Sequence, residues 1–138
     1  MIYSDNFYDM SLPALKTAIY IDNLRRGRKL KDNEKYVKEV IDLFSELSKG
    51  KNIRDLSPDV TTTLMNFLDP DRRHANNKDD KDYDDYLKRQ CSDFARDLSN
   101  VKRLSTDKKM ELSEKCANLH DILLRKDFRR NRRMGLAA

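Results

Sequence analysis

Tryptophan is absent from this chain of 138 residues, and glycine and proline occur only three times each. So few backbone breakers exclude a collagen-like or linker-rich chain and the turn-dense sequence of a β-sandwich. Cysteine is nearly missing as well. Cys91 and Cys116 lie in no C-x-x-C pair and beside no histidine, which excludes a disulfide scaffold and the usual zinc spacings. They are expected as small, reduced residues buried on helix faces. No apolar run is long enough for a signal peptide or a membrane span, so the expectation is an intracellular protein, cytoplasmic or within a nucleoprotein assembly.

What remains is a chain with equal shares of charged and hydrophobic residues, 38% each. That balance suits a charged helical protein, provided the apolar residues recur with a helical period. They do. Val37, Val40, Ile41, Phe44 and Leu47 form one stripe, and Tyr83, Leu87, Cys91, Phe94, Leu98 and Val101 form another. Leu112, Cys116, Leu119 and Leu123 make a third, continued by Leu124 and Phe128 as the stripe drifts around the helix. No strand-like alternation of any length appears, and no internal repeat at a solenoid period.

The rare residues mark the ends. Gly27, Gly50 and Gly135 each follow a helical segment, where a left-handed residue closes a C-terminus. Pro58 after Ser57 and Pro13 after Ser11 read as first-turn prolines behind an N-cap, and Pro70 blocks continuation after "MNFLD". Ser105 or Thr106 caps the last segment. The prediction is an all-α single domain over 1–138. It is a bundle of five helices near 11–27, 33–49, 58–68, 80–100 and 106–133, the last long. The polar segment at 71–79 is predicted to be a mobile loop, since it lacks apolar anchors and is rich in Asn and Asp. The short link at 100–105 predicts that the fourth and fifth helices form an antiparallel hairpin, with Leu98 near Leu112 and Phe94 near Cys116.

Catalytic constellations are not found. His74 and His120 have no nucleophile or second ligand at a useful spacing. The run "DDKDYDDY" offers Asp79, Asp80, Asp82, Asp84 and Asp85, but an EF-hand register would put Asp85 where glycine is needed and Cys91 where glutamate is needed. Carboxylates at a helix start satisfy its free N–H groups and its dipole instead. The stretch around "SPDVTTTLMNFL" has a helix-turn-helix flavour, with Thr61, Thr62, Thr63 and Asn66 as readers. Its supporting helix is too short, and Asp59, Asp69 and Asp71 would repel phosphates. The chain is therefore expected to be non-catalytic, with no metal and no cofactor.

The charge map is more informative. Residues 125–133 hold six Arg or Lys against Asp127 alone, so this segment carries a surplus of +5, equal to that of the whole chain. Arg125, Arg129, Arg132 and Arg133 fall on one helical face, with Lys126 and Arg130 beside it. A helix C-terminus gains from one or two cations, not six. Arginine grips phosphate with a planar fork, which favours RNA or DNA as the partner of the basic end at 125–138. A second cluster, Arg25, Arg26, Arg28 and Lys29, is partly accounted for by the first helix's own C-terminus. The expected function is thus a nucleic-acid-associated protein of low sequence specificity that binds phosphates without reading bases, alone or as a subunit of a nucleoprotein assembly. The alternative is a protein–protein adaptor or inhibitor of viral or phage-like kind, whose tail docks on an acidic surface. A homo-oligomer joining that tail to Asp79–Asp85 of another copy is one version. A membrane-surface role is not expected, because the tail lacks an apolar face opposite its charges.

Overall fold

The computed structural model describes the backbone of residues 7–50, 52–73 and 79–133, with side chains at all of these except 80 and 126–133. Among them the chain forms α1 (Ser11–Arg25), α2 (Glu34–Lys49), α3 (Pro58–Leu68), α4 (Asp80–Ser99) and α5 (Thr106–Arg133), joined by short 3₁₀ turns at Lys31–Asn33, Ile53–Asp55 and Val101–Arg103. No strand is present among the described residues. The architecture is the all-α single-domain bundle predicted.

The caps explain most of the boundaries. Gly27 adopts φ +79°, which lets its N–H reach the Leu24 carbonyl at 3.0 Å while Arg28 N–H reaches that of Asn23 at 2.7 Å. Asp79 Oδ1 accepts from Asp82 N–H at 2.8 Å to open α4, and Ser105 Oγ accepts from Lys108 N–H at 3.2 Å to open α5. Three local readings are corrected. Gly50 ends α2 with φ −88°, which any residue adopts. Ser11 is the first residue of α1, and Met10 occupies the N-cap. Ser57 gives α3 no side-chain cap, and Pro58 alone pre-sets its first turn.

Two hydrogen bonds fix α1 antiparallel to α5. Ser113 Oγ donates to the Ala18 carbonyl at 3.0 Å, and His120 Nδ1 lies 2.7 Å from the Ser11 carbonyl. A carbonyl only accepts, so His120 holds its proton on Nδ1. α2 lies antiparallel to α4, where the Phe44 and Phe94 rings meet edge to face at 4.8 Å. The most extensive helix contacts are α1 on α5, α2 on α4, and α1 on α2, giving a lateral order α5, α1, α2, α4.

α3 fills the opening that this order leaves. It packs on both α5 and α4, and its Phe67 ring sits 5.7 Å from Phe44 and 5.3 Å from Phe94. The predicted hairpin of α4 and α5 is accordingly not one of the close helix pairs. α3 is wedged between them, and the Val101–Arg103 turn followed by extended Leu104 (ψ 155°) lets the two axes part. They meet through side chains, with the Lys115 ammonium 5.2 Å from the Phe94 ring and 5.5 Å from that of Phe67.

The core is one cluster drawn from every helix, and Phe7, Phe44, Phe94, Ile21 and Leu119 are among its fully enclosed side chains. The stripes are largely those predicted, but Ile41 is half-buried and Leu43 takes a core place, while Leu124 is 51% exposed. The loop after α3 starts from more anchorage than its composition suggests. Arg72, at φ 57°, donates from Nη2 to Asn66 Oδ1 at 2.6 Å, and Tyr83 donates to buried Asp69 Oδ2 at 3.1 Å. Residues 74–78 of the predicted mobile loop, His74 included, lie outside the described residues.

Candidate nucleic-acid interface

The side chains of α5 are described as far as Arg125. Leu112, Cys116, Leu119 and Leu123 are buried, whereas Leu124 and Arg125 are exposed. The partner helix α1 begins at Ser11, level with His120. The helical backbone nevertheless runs on to Arg133, about ten residues or roughly 15 Å beyond Leu123 at 1.5 Å per residue. On that backbone, positions 125, 129, 132 and 133 share one side and 126 and 130 the next. The side chains of Lys126, Arg129, Arg130, Arg132 and Arg133 lie outside the described residues.

The second predicted cluster is elsewhere. Because Ala18 pairs with Ser113 in an antiparallel register, the end of α1 stands level with the start of α5. Arg25, Arg26, Arg28 and Lys29 are therefore at the opposite end of the bundle from the tail. Along α5, whose start is Thr106, the basic segment begins about 28 Å away at Arg125 and ends about 40 Å away at Arg133, at 1.5 Å per residue. Arg25 Nη2 lies 2.7 Å from Asp22 and Arg26 Nε 3.4 Å from it. The Arg25 hydrogen bond, with the charges of both arginines behind it, holds the Asp22 carboxyl below its usual range against the opposing effect of burial. Arg28 and Lys29 are exposed and, among the described residues, form no ion pair.

Folding adds residues to this end that sequence reasoning missed. Lys102 Nζ approaches Glu34 Oε1 at 3.8 Å, which brings the α4–α5 link beside the α1–α2 link. Arg103 comes with it and is exposed. The only signal in the sequence was that "VKR" lies in a short link, and its neighbours could not be known without the topology.

The other candidates are absorbed by the fold. Asp84, 1% exposed, accepts Arg54 N–H at 3.3 Å through Oδ1 and pairs with Arg54 Nε at 2.8 Å through Oδ2. One member of the acidic run is thus an internal anchor, while Asp82 and Asp85 are exposed. Thr61 Oγ1 donates to the Ile53 carbonyl, buried Thr63 to that of Asp59, and Asn66 accepts from Arg72. Three of the four helix-turn-helix readers are spent inside the molecule. Cys91 and Cys116 are buried, and burial pushes both thiols up to about 12, which makes them poor nucleophiles. Lys115 has its pKa lowered by burial, partly offset by Asp97. Among the described residues no three His, Cys, Asp or Glu side chains gather as a metal site would require, and no helix is long and apolar enough to cross a membrane.

No protein family, curated protein or solved structure matches the chain. The class that the fold defines is an all-α single-domain bundle, whose last helix carries its backbone on to Arg133.

Proposed function

We propose that the protein is a non-catalytic nucleic-acid-associated bundle that grips RNA or DNA phosphates through the C-terminal end of α5. The carrying observation is that α5 stays helical to Arg133 after its last described core residue, Leu123. The segment from 125 to 133 holds six Arg and Lys, more cations than a helix C-terminus uses for its own dipole. Each arginine offers a bidentate fork to a phosphate, and several on one face follow a backbone without reading bases.

A second reading is supported by the antiparallel helices, which put the start of α4 at the same end as the α5 tail. Exposed Asp82 and Asp85 there offer an acidic surface to the tail of another copy. The adaptor reading generalises this to an acidic partner protein.

The test replaces Arg129, Arg130, Arg132 and Arg133 with Ser and measures gel shifts on RNA, single-stranded DNA and duplex DNA at two salt concentrations. Binding should be largely lost and its salt dependence flattened by up to about 0.9 log units per phosphate contact removed on duplex DNA. Normal nucleic-acid binding, combined with loss of a protein partner or of self-association, would reject this reading in favour of the adaptor.

A further inference from the structure

We propose that the outer face of the α1–α5 pair is a self-association surface, on which a second copy of this chain docks with its α1 laid over α5. This surface is independent of the basic tail. Among the described residues four large apolar side chains are exposed, Leu12, Ile19, Met110 and Leu124, at 38% to 51%. All four fall on one antiparallel pair, α1 and α5, although the chain has three further helices among the described residues. Single exposed apolar residues scattered over a surface are ordinary, whereas a gathered set marks a place of contact.

Helical spacing gathers them on one side of the pair. On α5, Ser113 and His120 bond to α1, while Leu112, Cys116, Leu119 and Leu123 are buried in the core. At 3.6 residues per turn, Met110, half-buried Ala117 and Leu124 lie about 20–60° around from Ser113, on the side away from those core residues. On α1, Ser11 and Ala18 meet α5, and Ala14, Thr17 and Ile21 are buried. Half-buried Leu15, with Ile19 and Leu12, lies about 60–120° around from Ala18, again away from the core. The two apolar stripes therefore run side by side. Because Ala18 is level with Ser113 and Ser11 with His120, the span from Leu12 to Ile19 falls within that from Met110 to Leu124.

Charge names the occupant. Past the α5 stripe stand Asp107, Glu114 and Asp121, exposed and seven residues apart, and past the α1 stripe stand half-buried Lys16 and exposed Arg26. Lys16 and the three carboxylates form no ion pair among the described residues, and Arg26 has only Asp22 at 3.4 Å. One edge of the face is thus basic and the other acidic. A two-fold axis parallel to the helices lays the basic edge of each copy on the acidic edge of the other and keeps every residue at its own level, so that Lys16 meets Glu114 and Arg26 meets Asp107 across the interface. A two-fold axis across the helices would set like edges together, and repulsion disfavours it. From Thr106 to Arg125 the face is about 28 Å long, and two helices side by side make it roughly 20 Å wide. A pair of copies would bury roughly 1,100 Å², near the lower limit for a specific interface, which suits a reversible dimer in the micromolar range.

The experiment is sedimentation velocity on the full chain over a range of concentrations. The natural chain should be a reversible dimer, and Leu12→Gln with Ile19→Gln should weaken it by roughly tenfold or more. Lys16→Glu alone and Glu114→Lys alone should each weaken it similarly, because either change creates two like-charge contacts in a two-fold pair. Mixed with each other, these two variants should dimerise again, since a mixed pair has opposite charges at both contacts. The tail variant above should dimerise as the natural chain does. A natural chain that stays monomeric up to about 500 μM, a Leu12 and Ile19 variant that dimerises unchanged, or a mixture no tighter than its two components would each overturn the proposal. Loss of the dimer in the tail variant, with the Leu12 and Ile19 variant unaffected, would overturn it in favour of the contact between tail and α4. Circular dichroism melts matching the natural chain exclude loss of fold as the cause, and the rescue in the mixture cannot come from variants that fail to fold.

Discussion

At Cys91 and Cys116 burial holds the proton on sulfur far beyond the ordinary thiol range, from 9.0 to about 12. Below pH 9 folded and unfolded chains both carry these protons, so the thiols leave stability flat. Between about 9 and 12 the unfolded chain ionises and the folded one does not, and stability falls by up to about 1.4 kcal/mol per pH unit per thiol. Tyr83, raised to about 12 chiefly by burial and then by its bond to Asp69, adds a loss of the same sign above pH 10. Lys115 acts oppositely. Its lowered pKa makes the folded chain release a proton first, so its contribution rises with pH just below 10.5. Urea denaturation in reductant from pH 8 to 10.5 should show a net decline, shallower in a Cys91→Ala, Cys116→Ala double variant. An unchanged slope in that variant would contradict the assignment. Asp84 gives a second residue-scale prediction. Arg54→Met leaves its buried carboxylate without its cation and should cost about 2–3 kcal/mol. Adding Asp84→Asn should restore part of that loss, and a double-mutant cycle with no coupling would sink the pairing as a source of stability.

Each helix owes its ends to local chemistry but its neighbours to the core. Ser105→Ala removes the acceptor that opens α5 and should cost about 1 kcal/mol, measured as a lowered denaturation midpoint with an unchanged m-value. Phe67→Ala is the element-scale test of the wedge. It should cost about 3–5 kcal/mol, as an enclosed aromatic does, and strip α3 from both α4 and α5. Hydrogen exchange should then open α3 and the Lys115 region ahead of the α1–α5 pair. Uniform opening of the whole chain would show instead that α3 is not a separable support. The five spans were legible because Gly27, Pro58 and Ser105 punctuate regular stripes. The α4–α5 pairing was not, because a six-residue link permits a hairpin without requiring one.

At the scale of the molecule, a surplus equal to the whole net charge lies in residues 125–133, while the core is one cluster drawn from every helix. On the proposed role, replacing Arg129, Arg130, Arg132 and Arg133 with Ser should leave the melting temperature within a degree or two, since charges held for a polyanion rather than for internal pairing contribute little to folding. A large drop would show that the tail pairs within its own chain, and the start of α4 is at the same end to receive it. The candidate site was legible in part. The tail's surplus can be counted in the sequence, and so can the cluster from Arg25 to Lys29. That the antiparallel pairing of α1 and α5 puts these two segments at opposite ends of the bundle could not be counted.

The sequence by itself determined the helices, the caps at Gly27 and Ser105, most of the buried stripes and the amount of charge at the tail, because each depends on residues within a few positions of one another. Tertiary structure alone decided which helices touch. It set α3 between α4 and α5, enclosed Asp84 against Arg54, turned His120 to the Ser11 carbonyl, and brought Lys102 to Glu34. These are contacts between segments far apart in the chain, chosen by how five amphipathic faces of unequal width close over one core, and no local spacing encodes that choice.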